Sequence, residues 1–107
     1  MARKKAPITR LNVGDHVTWD SQAAGRKTTK SGVILRVIER SEINYRNTPI
    51  ILAAKEFPNH KRMFDGLRLP GGKDAQFGYF IEVIIGNHPN TLPRLYMPFP
   101  RNVRLVE

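Results

Sequence analysis

The sequence predicts one mostly β domain: a small barrel of about five short strands, with a long irregular insertion and room for one short helix. Three observations predict it. Short stretches alternate apolar with polar residues, or run apolar on both faces, over strand-like lengths. Gly, Pro, Asn and Asp punctuate the chain between them. The 107 residues, 40% of them hydrophobic, suffice for one domain with one modest core.

Residues 1–10 read as a flexible basic arm, because Arg3, Lys4 and Lys5 have nothing to bury and Pro7 opposes regular structure. The ordered domain should then span 11–107. Asn12-Val13-Gly14-Asp15 carries turn chemistry, with Gly14 free to take a positive φ. In His16-Val17-Thr18-Trp19-Asp20, Val17 and Trp19 alternate with polar neighbours, the period of a half-buried strand. Trp19 is expected in the core or at its edge, with its N–H at the rim. Ser21 to Ser31 is polar and without helical period, so it reads as a long loop or a splayed hairpin. Gly32 then opens a second strand, Val33 to Ile38, apolar on both faces apart from Arg36.

Residues 39–76 form the predicted insertion. Within it, Ile50 to Phe57 reads as a helix, begun by Asn47 or Thr48 with Pro49 and stopped by Pro58. The β-branched Ile50 and Ile51 also allow a strand to start there. Asn59 to Gln76 is rich in breakers and reads as loop. Tyr79 to Ile85 is the strongest strand signal in the chain. Arg94 to Pro100 suits an edge strand, since Pro98 cannot donate to a ladder. Val103 to Val106 alternates and is expected to close the fold.

Val13-Gly14-Asp15-His16-Val17-Thr18-Trp19, followed by Lys30-Ser31-Gly32-Val33-Ile34, resembles the first hairpin of SH3-like barrels of the KOW and Tudor type. Their pattern is GDxVxW…GxI. The resemblance covers residues 11–38 and implies an SH3-like barrel that binds nucleic acid, ribosomal or transcription machinery, or a peptide. The long segment 39–76 departs from the compact family pattern.

Charge is the strongest compositional signal. Eighteen Lys and Arg against nine Asp and Glu leave a net charge of +9. Residues 1–36 hold eight basic against two acidic side chains, a net of +6. A basic excess concentrated in one region suits a polyanion, because each neutralised phosphate releases counterions. The expected partner is therefore DNA or RNA. The alternative is a small regulator or inhibitor that docks its basic face on an acidic protein surface. A small, basic, cysteine-free chain also fits a phage or mobile-element source.

Catalytic chemistry finds little support. Without Cys there is no thiolate nucleophile, disulfide or Cys-ligated metal. His16, His60 and His88 lack the spacing of a metal site and are expected in solvent. Pro70-Gly71-Gly72-Lys73 resembles a phosphate loop in composition alone. Asp15 suits a turn better than acid–base work with Asp20. The chain is thus expected to be non-enzymatic, with no cofactor and no metal. The apolar windows Gly32–Ile38 and Gly78–Ile85 are far shorter than the roughly 20 residues of a membrane helix. No apolar core of a signal peptide follows the basic start. A monomeric cytoplasmic protein without membrane contact is expected.

The candidate binding residues fall into three groups. Arg26, Lys27 and Lys30 lie beside Ser21, Gln22, Thr28 and Thr29, a mixture suited to phosphate and sugar contacts. Arg3, Lys4 and Lys5 of the arm would join them. Lys61, Arg62, Arg68 and Lys73 form a second basic loop. Phe57 and Phe64, interleaved there, are either base-stacking platforms or anchors to the core.

Overall fold

The computed structural model describes residues 10–23, 25–45, 47–64, 76–84 and 91–106. The arm with Arg3, Lys4 and Lys5, and the positions of Arg68, Lys73 and His88, lie outside the described residues. The described elements form a mixed six-stranded sheet with one helix: β1 (His16–Ala23), β2 (Arg26–Glu39), α1 (Thr48–Glu56), β3 (Lys61–Arg62), β4 (Phe77–Val83), β5 (Arg94–Tyr96) and β6 (Arg104–Leu105). The strand order is β3-β5-β4-β2-β1-β6. All neighbours run antiparallel except β3 and β5.

The entry turn forms as its residues dictate. Asp15 Oδ2 accepts the Asn12 N–H at 2.8 Å, and Gly14 takes a φ of 95°. The Gly14 N–H then reaches the Ile34 carbonyl at 2.8 Å, locking the turn to β2.

Sheet alternation creates two faces, and two clusters fill them. On the inner face Val17, Trp19, Ile34, Tyr79 and Ile81 are buried together. On the helix face Ile38, Phe80 and Leu95 pack with Ala53 of α1. A register shift between Ile34 and Arg36 lets β2 serve both, because one extra residue reverses the alternation. Ile34 therefore faces inward while Ile38, further along, lies under the helix.

The sheet curls around its inner face. β1 and β5 stand three ladder steps apart, about 14 Å in a flat sheet. Yet the Trp19 and Tyr96 rings lie 5.7 Å apart, centroid to centroid. No ladder joins β3 to β6 among the described residues, so the curled sheet is open there.

α1 starts after Asn47 with Pro49 in its first turn, where proline's missing N–H costs nothing. It ends at Phe57, ahead of Pro58. Phe57 meets Phe80 edge-on at 5.9 Å, and Phe64 stacks on the same ring at 5.5 Å. Both phenylalanines thus anchor the 57–64 segment to the core, which removes them as base-stacking platforms. Trp19, 3% exposed, is core as expected.

Three expectations are corrected. Of the two readings of Ser21–Ser31, the long loop is excluded and the hairpin holds, though not splayed: β1 and β2 pair without a break from His16↔Val33 to Ala23↔Arg26. Its polar composition hid the pairing, because this part of the hairpin has no core to face. The segment after Asn59 is not all loop, since Lys61–Arg62 forms β3. That strand covers β5, which is therefore not an edge strand.

Arg36 ties β2 to the helix. Its guanidinium reaches Glu42 and Glu56, each at 2.8 Å, joining the 3-10 turn Arg40–Glu42 to the end of α1. The Arg36 hydrogen bonds, with a further one from the Glu39 N–H, hold the Glu42 carboxyl below its ordinary range. A depressed carboxylate contributes stability above its unfolded pKa, about 4.3, and loses it as pH falls through the lowered folded midpoint. A carbon-detected NMR titration should place the Glu42 midpoint below that of an unfolded glutamate. In Arg36→Met it should move back up; an unchanged midpoint would contradict this assignment.

Candidate nucleic-acid interface

Strand alternation decides how the candidate cations are grouped. Lys30 lies opposite Trp19 in the β1–β2 register and so shares the inner face. Arg26 and Thr28 alternate onto that same side, while Lys27 and Thr29 fall on the other. The Lys30 ammonium rests 5.5 Å from the Tyr96 ring centroid, a cation–π contact across the curled sheet. Tyr96 pairs with Ile81 and Arg94 with Val83, so both belong to the inner side of β5. Lys61 is in register with Arg94 and joins it.

One face therefore carries Arg26, Lys30, Arg94 and Lys61, drawn from three strands with Tyr96 among them. None of these four cations has an acidic partner among the described residues. The helix face differs. Lys27 lies 3.5 Å and Arg104 3.7 Å from Asp20, whose carboxyl also accepts the Thr29 hydroxyl at 2.9 Å. That hydroxyl first, then the two cations, hold the Asp20 carboxyl below its ordinary value. Arg36 is committed to Glu42 and Glu56. On the inner side, Arg10 is paired with Glu39, which is in register with Phe77.

The two loop clusters read from the sequence are thus each divided. Lys27 is separated from Arg26 and Lys30, and Arg62 from Lys61, because neighbours on a strand point to opposite sides. Arg62 donates from Nε to the Phe64 carbonyl at 3.1 Å and lines a cleft of about 340 Å³ between α1 and β5. Arg94 and Tyr96 were missed. The period-two pattern of Arg94-Leu95-Tyr96 around a buried Leu95 is the signal that finds them.

His60 is also corrected. It is 15% exposed rather than in solvent, and its Nε2 lies 2.7 Å from Glu82 Oε2. Its Nδ1 is buried without a hydrogen-bond partner among the described residues. Among the described residues no group of three His, Cys, Asp or Glu side chains is placed to hold a metal ion. No described helix is long and apolar enough to cross a membrane. No family model, curated protein or solved structure matches this chain.

Proposed function

We propose that this protein is a non-enzymatic nucleic-acid-binding module that holds its partner mainly through phosphate contacts. One observation carries the reading: Arg26, Lys30, Lys61 and Arg94 share a sheet face and lack acidic partners among the described residues, while Lys27, Arg36 and Arg104 on the opposite face each lie beside a carboxylate. Unpaired cations add to the field that attracts a polyanion, whereas paired ones largely cancel. The basic arm of Arg3, Lys4 and Lys5, with Arg68 and Lys73, adds charge to the same partner. The scaffold is read as an SH3-like barrel of the KOW and Tudor type; the curl that brings Trp19 to Tyr96 supports this reading, although the sheet is open between β3 and β6 among the described residues. The protein acts as a cytoplasmic monomer in this reading.

At least three phosphate contacts, from Lys30, Lys61 and Arg94, set the salt dependence. On duplex DNA the slope of log K against log salt should be about −2.7 or steeper, so affinity falls by roughly 1.6 decades or more between about 50 and 200 mM. Anisotropy titrations with mixed-sequence DNA and RNA test it. Absence of binding to either polymer at about 50 mM salt would overturn the reading. In that case a one-to-one complex with an acidic protein becomes the reading to test.

A further inference from the structure

Beyond the Trp19–Lys30 row, the β1–β2 hairpin has no other neighbouring strand among the described residues. β6 pairs only with Val17 and Thr18, and β4 meets β2 only from Val33 onward. Four further paired rows, Asp20↔Thr29 to Ala23↔Arg26, thus form a free two-stranded ribbon that ends at Gly25. At about 3.3 Å per residue it projects roughly 13 Å past the sheet, before its turn is added. Gly25 takes a φ of 77°, which closes the tip tightly. Arg26, Lys27, Thr28 and Thr29 are all exposed, and no large apolar side chain interrupts the ribbon.

We propose that this ribbon seats in the major groove of B-form duplex DNA, a proposal that rests on the nucleic-acid reading above. Two hydrogen-bonded strands stand about 4.8 Å apart and fit, with their side chains, a groove about 12 Å wide and 8.5 Å deep. The projection exceeds that depth, so the tip reaches base edges while Lys30, Arg94 and Lys61 remain at phosphate level. Arg26, beside the tip, has the planar fork that pairs with guanine O6 and N7. Thr28, on the same side, adds a methyl and a hydroxyl group. The deep, narrow major groove of A-form RNA does not admit such a ribbon.

The test compares one 20-base-pair sequence as duplex DNA, as duplex RNA and as single-stranded DNA, under identical salt, with the wild-type protein. A fourth probe carries glucosylated hydroxymethylcytosine, which fills the major groove without changing the phosphates. Duplex DNA should bind about tenfold or more tightly than duplex RNA or the single strand, and the glucosylated duplex should lose a similar factor. Equal affinity for RNA or for the single strand, or indifference to glucosylation, overturns the groove assignment while leaving nucleic-acid binding intact. Failure to bind any of the four probes overturns both.

Discussion

Trp19→Ala destabilises the domain by about 3–5 kcal/mol, the cost of emptying a buried aromatic site that the surroundings refill only in part. For a chain of this size that lowers the melting temperature by well over ten degrees, at about 4–8 °C per kcal/mol. The size of the effect follows from position. Trp19 lies in the inner cluster with Val17, Ile34, Tyr79 and Ile81, and it also meets Tyr96 from the far side of the curl. The loss therefore removes packing from β1 and β5 together. Tyr96 carries Lys30, so the substitution also loosens the proposed interface. Trp19→Phe, which keeps an aromatic ring, should melt closer to wild type. A Trp19→Ala protein with an unchanged melt would show that the ring does not hold the sheet together.

Gly32→Ala is the second large effect, and it acts by excess rather than by loss. A Cβ at Gly32 would lie 2.3 Å from the Glu82 carbonyl oxygen and 2.8 Å from Ile81 Cγ2. The nearer atom belongs to the backbone of β4, so no side-chain rotation relieves the overlap. β2 and β4 must separate where β2 passes from β1 alone to its second neighbour. The cost should reach the upper end of the ~1–3 kcal/mol typical of overpacking. Gly25→Ala provides the contrast. There a Cβ meets nothing within 4 Å, and only the φ of 77° opposes it, at about 1–2 kcal/mol. Chemical denaturation of both variants should rank Gly32→Ala as clearly the less stable; the reverse order would contradict the close β2–β4 approach.

Much of the fold is legible where apolar residues meet a core. The alternation of Val17 and Trp19, the strand read at Tyr79–Ile85 and the Asn12–Asp15 turn all announce themselves, because each pattern has one local cause; β4 itself runs from Phe77 to Val83, two residues earlier than read, with Ile84 outside it and exposed. α1 is legible from Pro49 and Pro58, which bound it. The ribbon is legible only as one of two readings, long loop or splayed hairpin, since strands without a core to face keep no hydrophobic period. Nor is β3, two exposed residues whose strand state depends on β5 across the chain. The bulge beside Leu35 is equally hidden: the run Val33 to Ile38 is apolar on both sides, so a reversal of faces leaves no trace in it.

The interface obeys the same logic. Arg26, Lys30 and Lys61 are conspicuous as charges, but grouping them requires knowing that they lie on strands. Read as loop residues, Lys27 and Arg62 belong with them; read as strand residues, they face away. Arg94 and Tyr96 are obscured by Pro98, whose missing N–H makes the segment read as an edge. Asp20, which neutralises Lys27 and Arg104, comes from a part of β1 whose partners only the register reveals.

In the proposed interface, face rather than total charge selects the cations that bind. Two triple variants separate these. Lys30, Lys61 and Arg94 to Ala removes three inner-face charges; Lys55, Arg62 and Arg104 to Ala removes three others and leaves the same net charge, +9 minus 3, or +6. All six positions are surface or half-buried, so both variants should melt near wild type. Salt-dependent titration against one duplex DNA then decides. The inner-face variant should lose affinity for every sequence, its slope shallower by about 2.7, while the other stays close to wild type. Equal losses in the two variants would mean that binding follows net charge alone, and that the inner face is not the site.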